Sequence, residues 1–487
     1  MKDLKGKTIR GGLARMLAQG ANFWLRLVTL MILARLLEPD DFGLLGMVTA
    51  FTGALGLFRD FGLSSATIQR ATITDAQVST LFWLNLLIGL VLGLLALAIA
   101  PAIAALYHEP RLAGITAVLA LGFVFNSAGL QHGSLLQRDM RFTALAVINA
   151  VSLIAAGGVG ILAARSGLGY WALVAMAVVA PLVTSAGAWL TSGWIPSKPH
   201  RGSSIGAMIH FGGILTMNSI VQYAANNIDK VLVGRYLGVE ALGIYGRAYQ
   251  LVSIPIDNLN SAAGEVAFSA LSRIQEDPVR WKNYFLKGYS LLLAMTIPIT
   301  VACTLSASDL IFVLLGPKWT AVVPVFRLLT PLILALTIIS PLGWLIYSLG
   351  MPARGLKMAI VIAPIMIVGF VVGLPFGPAG VACAYSAVMC AWIIPVIAWA
   401  VHGTNLSMGE VLVTVGRPLA AGIVAGALAF GVGLICDNLM PLARLVIQTS
   451  VLFVAYALLL YFATGQKSLY LDVLRGLKVH GGGENRV

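Results

Sequence analysis

Along most of this chain apolar residues do not alternate with polar ones. They run on for about 18 residues or more before a polar break, as in Ser79–Ala100, Ile115–Leu136 and Ala144–Ala163. A helix rising ~1.5 Å per residue crosses ~30 Å of hydrocarbon in about 20 residues, so each run has membrane-spanning length. Period-two alternation is missing, which argues against an outer-membrane barrel. The runs predict fourteen helices, near 13–37, 42–60, 78–100, 112–136, 143–164, 169–192, 206–233, 240–268, 286–306, 319–349, 356–376, 379–402, 411–435 and 443–463. Turn residues mark the short connections, among them "EPDD", "YHEPR", "RSGLG" and "PFGPAG". Two longer polar connections span Trp194–Ser204 and Ser272–Lys287. The expected fold is an all-α polytopic membrane protein of about 14 transmembrane helices.

The polar breaks also give a direction. With the N-terminus inside, twenty-two of the 32 Lys and Arg fall on the inner side, six on the outer side and four inside spans. That bias satisfies the positive-inside rule and predicts that both termini are cytoplasmic. On the expected outer face one turn is written twice. "LARLLEPDDFGLLG" at Leu33–Gly46 and "VGRYLGVEALGIYG" at Val233–Gly246 align without a gap, matching Arg35 with Arg235, Leu37 with Leu237, Gly43 with Gly243 and Gly46 with Gly246. Six helices separate the copies, an even number, so the two halves run in the same direction and form a parallel repeat. The chain then divides into an N-lobe, 1–204, with helices 1–6, and a C-lobe, 205–405, with helices 7–12. Residues 406–487 carry helices 13 and 14 and a cytoplasmic tail.

Composition sharpens this picture. Of 487 residues 59% are hydrophobic and 10% charged, with a mean hydropathy of +0.91, against ~25% charged in a soluble domain. The net charge of +13 needs no nucleic acid, because basic inner loops beside anionic lipid account for it. "MKDLKGKTIRGG" lacks a cleavage site after a short apolar core and reads as a retained cytoplasmic tail. Cys303, Cys383, Cys390 and Cys436 sit in apolar stretches without CxxC spacing, so neither a disulfide framework nor a metal site is expected. Six scattered histidines show no metal spacing, and no GxxxxGK[ST] occurs, so no metal, cofactor or ATPase of its own is expected.

The wording of several segments goes further. "LARLLEPDDFGLLGM" followed by "FRDFGLSSATIQR", then "STLFWLNLLIG", "LLQRDMRF" and "GLGYWALV", mark the first half; "NNIDKVLVGRYLGVEALGIYGRAYQL", Pro255 and "FSALSRIQED" mark the second. With two six-helix lobes and an appended pair, the chain resembles the polysaccharide-unit flippases of the Wzx type, exporters of exopolysaccharide or colanic-acid-like units. Their superfamily also contains the MATE exporters. Ser269 departs from the pattern, standing where a proline is expected. The resemblance implies a bacterial inner-membrane protein that moves undecaprenyl-diphosphate-linked oligosaccharide from the inner to the outer leaflet by alternating access. It also implies a polysaccharide polymerase and a chain-length regulator as partners.

A charge at mid-membrane costs at least ~2.5 kcal/mol on insertion scales, so it faces a cavity or a partner. The candidates are Arg26, Lys230, Arg247 and Arg327 for substrate, and Asp229, Asp257 and Glu265 for an ion coupled to transport. An anionic diphosphate needs a wet, cationic passage, and Arg offers fixed charge with paired donors for phosphate oxygens. Duller roles stay open at each position. Arg26 is a cavity cation or half of a structural ion pair; Asp229 is a coupling group or a packing carboxylate. Arg247 snorkels, caps or binds, and Arg327 contacts substrate or holds its helix. Asp257 and Glu265 form ion pairs or exchange protons. Prolines 255, 298, 324, 331, 341, 364 and 395 in the second half either bend during transport or kink the helices permanently for packing. The alternative function is a MATE-like ion-coupled exporter of small cations or drugs, which would favour a carboxylate-lined cavity. A membrane glycosyltransferase would need a long outer loop with catalytic acids, and none is expected; no catalytic residue is assigned.

Overall fold

The computed structural model describes residues 20–60, 64, 67–68, 73–199, 223 and 227–462, with no strand among them. In chain order the helices are α1 (20–36), α2 (Pro39–Gly56), α3 (Asp75–Tyr107), α4 (Arg111–Arg138), α5 (Phe142–Arg165), α6 (Trp171–Ser192), α7 (Ile228–Leu237), α8 (Val239–Arg273), α9 (Pro278–Leu305), α10 (Ala307–Leu314), α11 (Val322–Ser348), α12 (Pro352–Gly373), α13 (Gly377–Val401), α14 (Met408–Ile435) and α15 (Pro441–Phe462). Among the described residues nine helical stretches are long and apolar enough to cross a membrane. One of these, Ala353–Val401, spans both α12 and α13. The expected lobe boundary at 204/205 lies outside the described residues, as do most of the seventh expected helix and the C-terminal tail.

Local chemistry explains where the helices start. Thr74 caps α3, its hydroxyl accepting from the Gln77 amide while the Gln77 side chain accepts from Thr74 N at 3.1 Å. Ser407 and Glu410 make the same reciprocal box at α14. The "EPDD" turn starts α2, with Pro39 in the first turn and the Asp41 carboxylate accepting from Glu38 N at 3.0 Å. Two starts differ from the sequence reading. α9 begins eight residues earlier than expected because Asp277 caps it, accepting from Arg280 N at 3.0 Å, and Pro278 opens it. The short α10 lies where an outer connection was expected, seated by the buried Ala307, Asp309 and Ile311.

The chain forms two compact units, Met1–Gly246 and Arg247–Val487. In the first, small residues let backbones approach, as expected where lipid supplies no hydrophobic drive between helices. A Cβ at Gly89 on α3 would fall 2.6 Å from the Ser127 Cβ on α4. Ser152 on α5 donates to the Ala180 carbonyl of α6 at 2.8 Å and accepts from Thr184. In the second unit Trp281, Phe285 and Tyr289 stack along α9, and the Tyr289 hydroxyl donates to the Ile338 carbonyl at 2.9 Å. At one end of this unit Arg444 forks onto the buried Asp309, with Nε to Oδ2 at 2.7 Å, and also meets the exposed Asp437.

The duplicated turn is visible as geometry. α1 ends at residue 36 and α2 starts at Pro39; α7 ends at Leu237 and α8 starts at Val239. Within the first unit the two turns touch each other reciprocally. A Cβ on Gly43 would lie 2.8 Å from the Val239 carbonyl carbon, and one on Gly243 would lie 2.7 Å from that of Pro39. Each glycine thus faces the first carbonyl of the other copy's helix. Only residues without a side chain permit that approach.

Candidate functional site: a cavity walled by α2, α4 and α6

One side of α2 is buried through Leu44, Met47 and Val48. A second stripe, Thr49, Thr52, Gly53 and Gly56, repeats every three or four residues and ends at Arg59 in the turn that follows. These residues form one wall of an open cavity of about 470 Å³, completed by Leu119, Gly122, Phe123 and Asn126 of α4 and by Ala177 and Pro181 of α6. Glycines leave the room, and threonines and Asn126 supply hydroxyl and amide groups. Among the described residues Arg59 is the one charged member of the lining.

The surroundings hold Arg59 without consuming it. Its Nε is buried with no hydrogen-bond partner among the described residues. The adjacent Asp60 is engaged in the turn, its carboxylate accepting from Ser64 N at 2.9 Å. Tyr223 braces α2, its hydroxyl donating to the Thr49 carbonyl at 3.0 Å and its ring lying where a Gly53 side chain would be. A half-buried guanidinium whose Nε has no partner among the described residues suits an oxyanion of phosphate type, although the neighbouring Asp60 carboxylate offsets part of its charge. The charge count assigned Arg59 to an inner loop; the stripe of small and hydroxyl residues leading up to it was the signal for its cavity role.

The residues expected from the sequence are distributed otherwise. Arg26 is exposed on α1 and makes no hydrogen bond or ion pair among the described residues. Asp229 on α7 is buried and accepts from the Tyr245 hydroxyl at 2.7 Å, while Lys230 donates to the Asn227 side chain at 2.8 Å. These three lie in the first unit. In the second, Arg247 is half-buried, Asp257 is exposed, and exposed Arg327 donates to Ser308 Oγ at 3.0 Å. The side chain of Glu265 lies outside the described residues. None of the seven lines the α2–α4–α6 cavity. No group of His, Cys, Asp and Glu able to hold a metal occurs among the described residues.

Comparison with known proteins identifies the family and the fold. A family model described as polysaccharide biosynthesis protein matches residues 32–324, more than half of the chain. The chain is 28% identical over 352 residues to the lipopolysaccharide biosynthesis protein WzxC of Escherichia coli, covering 71% of each. It is 29% identical over 295 residues to the teichuronic acid biosynthesis protein TuaB of Bacillus subtilis, covering 60% of this chain and 61% of that one. Among solved structures the fold matches a lipid II flippase MurJ in an inward closed conformation, with a TM-score of 0.74 and 15% identity over 95% of this chain and 100% of that one. It also matches an inward-facing multidrug MATE transporter, with a TM-score of 0.61 and 14% identity over 80% and 95%. The chain belongs to the polysaccharide biosynthesis protein family.

Proposed function

We propose that this protein flips undecaprenyl-diphosphate-linked oligosaccharide repeat units from the inner to the outer leaflet of a bacterial cytoplasmic membrane. The observation that carries the reading is Arg59 Nε, unpaired among the described residues, at an open cavity whose other described lining residues are neutral, in a family described by polysaccharide biosynthesis. A saccharide headgroup is hydrated and its diphosphate is anionic, so both need shelter from hydrocarbon; the polyprenyl chain does not. Arg59 takes phosphate oxygens, with Arg26 and Lys230 as further cations along the route. Asn126 adds an amide donor in the same cavity, while Thr49 and Thr52 donate their hydroxyls back to α2 carbonyls. Alternating access follows if the Gly43–Gly243 contact, on the face that the charge count places outside, parts when the passage opens outward. Asp229, Asp257 and Glu265 remain the proposed groups for coupling to an ion gradient, and a polymerase and a chain-length regulator the proposed partners. A small-cation exporter is disfavoured, because an arginine in the cavity repels such cargo.

Deletion of the gene tests the proposal. Lipid-linked oligosaccharide should accumulate, protected from a membrane-impermeant glycosidase or periodate in right-side-out vesicles, and the restored wild-type gene should expose it. Arg59→Ala should slow export at least tenfold while protein abundance stays near wild type. Unchanged leaflet distribution in the deletion strain rejects the function.

A further inference from the structure

A second open cavity of about 450 Å³ lies in the first unit, between α1, α4 and α5. Its polar lining is Asn22 of α1, Ser64 after α2, Ser134 and Gln137 of α4, and Asn149 of α5, with Phe142 of α5 as its aromatic member; no charged residue lines it among the described residues. The lining is periodic. Ser134 and Gln137 stand three apart on α4, and Phe142, Ala146 and Asn149 fall on one face of α5. Asn22 Oδ1 is buried without a partner among the described residues, and the amides of Gln137 and Asn149 are exposed and make no hydrogen bond among them. Ser64 is held in place from its backbone, through Asp60, which leaves its hydroxyl to the cavity.

The chemistry selects the class of ligand. Carboxamides carry a donor and an acceptor on one neutral planar group, and sugar hydroxyls both donate and accept, so the two sets match. A phosphate only accepts and would strand the acceptor Asn22 Oδ1. A lipid tail would leave every amide unpaired, at a cost comparable to lost hydrogen bonds in an apolar medium. The volume falls in the range of small-ligand sites. A further observation sets the ligand's polarity. Arg26 follows Asn22 by four residues, on the same side of α1 and about 6 Å along its axis, and it is exposed and unpaired among the described residues. A neutral site and a cation one helical turn apart fit a sugar joined directly to a phosphate.

We infer that the α1–α4–α5 cavity binds the saccharide portion of the cargo, a neutral hydroxyl-rich sugar residue adjoining the diphosphate, through Asn22, Gln137 and Asn149. This rests on the flippase reading and divides its substrate between two places: sugar in the neutral cavity, phosphate at the cations. Specificity for the repeat unit then resides in the amide set, and affinity for the carrier in the arginines.

The test compares two probes on purified, detergent-solubilised full-length protein by native mass spectrometry. One is lipid-linked saccharide extracted from cells lacking the gene; the other is bare undecaprenyl diphosphate. Wild type should bind the first at least tenfold more tightly. Asn22→Leu with Asn149→Leu should erase that ratio while changing affinity for the bare diphosphate less than twofold, whereas Arg26→Ala should weaken both probes. A double variant that keeps the wild-type ratio, or weakens both probes equally, overturns the assignment, as does a wild-type ratio near one. If the double variant does not fold, Gln137→Leu alone should lower the ratio at least threefold, and an unchanged ratio there is equally fatal. Wild type binding neither probe instead defeats the flippase reading itself.

Discussion

The reciprocal glycine contact yields a quantitative expectation. Replacing Gly43 with Ala puts a methyl group 2.8 Å from the Val239 carbonyl carbon, and Gly243→Ala puts one 2.7 Å from that of Pro39. Ordinary contact begins near 3.4 Å and the carbonyl oxygens lie nearer still than the carbons, so the two helices must separate by more than about one ångström. The obstructing atoms are backbone in the first turn of each helix and cannot rotate aside. Overpacking of this kind costs ~1–3 kcal/mol, and for a unit of this size each kcal/mol lowers the melting temperature by about 2–4 °C. Each single variant should therefore melt several degrees below wild type in a detergent thermal-shift assay. The double variant should fall short of the sum, because the first methyl already spreads the contact into which the second would press. The chain contains its own control. Gly246 belongs to the same repeat and the same helix as Gly243, yet nothing lies within 4 Å of its added Cβ. Gly246→Ala should be neutral or gain up to ~1 kcal/mol from helix propensity. Equal destabilisation by Gly246→Ala and Gly243→Ala, or strictly additive losses in the double variant, would refute the contact as the cause.

Other expectations follow from single groups. Arg59→Lys should retain more export than Arg59→Ala but less than wild type in a leaflet-accessibility assay, because a point charge replaces a fork. Arg444→Ala leaves the buried Asp309 carboxylate uncompensated and should cost ~3–5 kcal/mol, whereas Asp437→Asn, at a side chain 79% exposed, should cost less than about 1 kcal/mol; chemical denaturation of the two variants separates these outcomes. Asn85 on α3 is fully buried with neither end of its amide bonded among the described residues. Asn85→Leu keeps the branched outline, removes the unpaired groups and should raise the melting temperature, by the equivalent of ~1–3 kcal/mol; a lower one would mean that ordered water satisfies the amide or that the bulkier side chain overpacks the site. Glu109, in the turn between α3 and α4, is held below the usual carboxylate range by hydrogen bonds from Arg111, with Arg111 Nε at 2.8 Å. Its stabilisation is present above pH ~4.5 and lost as pH falls through its lowered value, so the effect of Glu109→Gln should shrink on acidification, measured by thermal shift at pH 7 and pH 3.

Much of the fold was legible because lipid imposes simple rules. An apolar run must be helical to satisfy its backbone, and turn residues can lie only between runs, so the helices α3 to α6 and α11 to α15 appear in the sequence near their observed places. The start of α9 was obscured because Arg280, Lys282, Asn283 and Lys287 read as a polar connection; the Asp277–Pro278 start signal outweighs composition there. The duplicated turn was legible as four identities, but their meanings diverge in space. Gly43 and Gly243 are kept free of side chains by each other's helix, whereas Gly46 meets only a leucine side chain and Gly246 meets nothing.

The candidate site was less legible, for a reason the charges make plain. Counting Lys and Arg sorts residues by the side of the membrane, and by that measure Arg59 is one more inner cation, no different from Arg138 or Arg141. In the structure those two are spent on backbone carbonyls, Arg138 on Thr67 at 2.6 Å and Arg141 on Thr191 at 2.9 Å, while Arg59 keeps a buried donor free beside a cavity. What separates them is the company of the preceding helix. α2 brings threonines and glycines at helical spacing toward Arg59, where an α-helix facing only lipid would carry leucine and valine. The amide cavity is harder still to read, since Asn22, Gln137 and Asn149 come from three helices and each alone is an ordinary polar residue. Their meeting depends on α4 and α5 both packing against α6 after the tight turn at Asp139–Arg141, which leaves a gap between them. A sugar-sized set of amides is therefore a property of the packing, and substitutions that preserve packing but change those amides are the ones expected to alter which saccharide is carried.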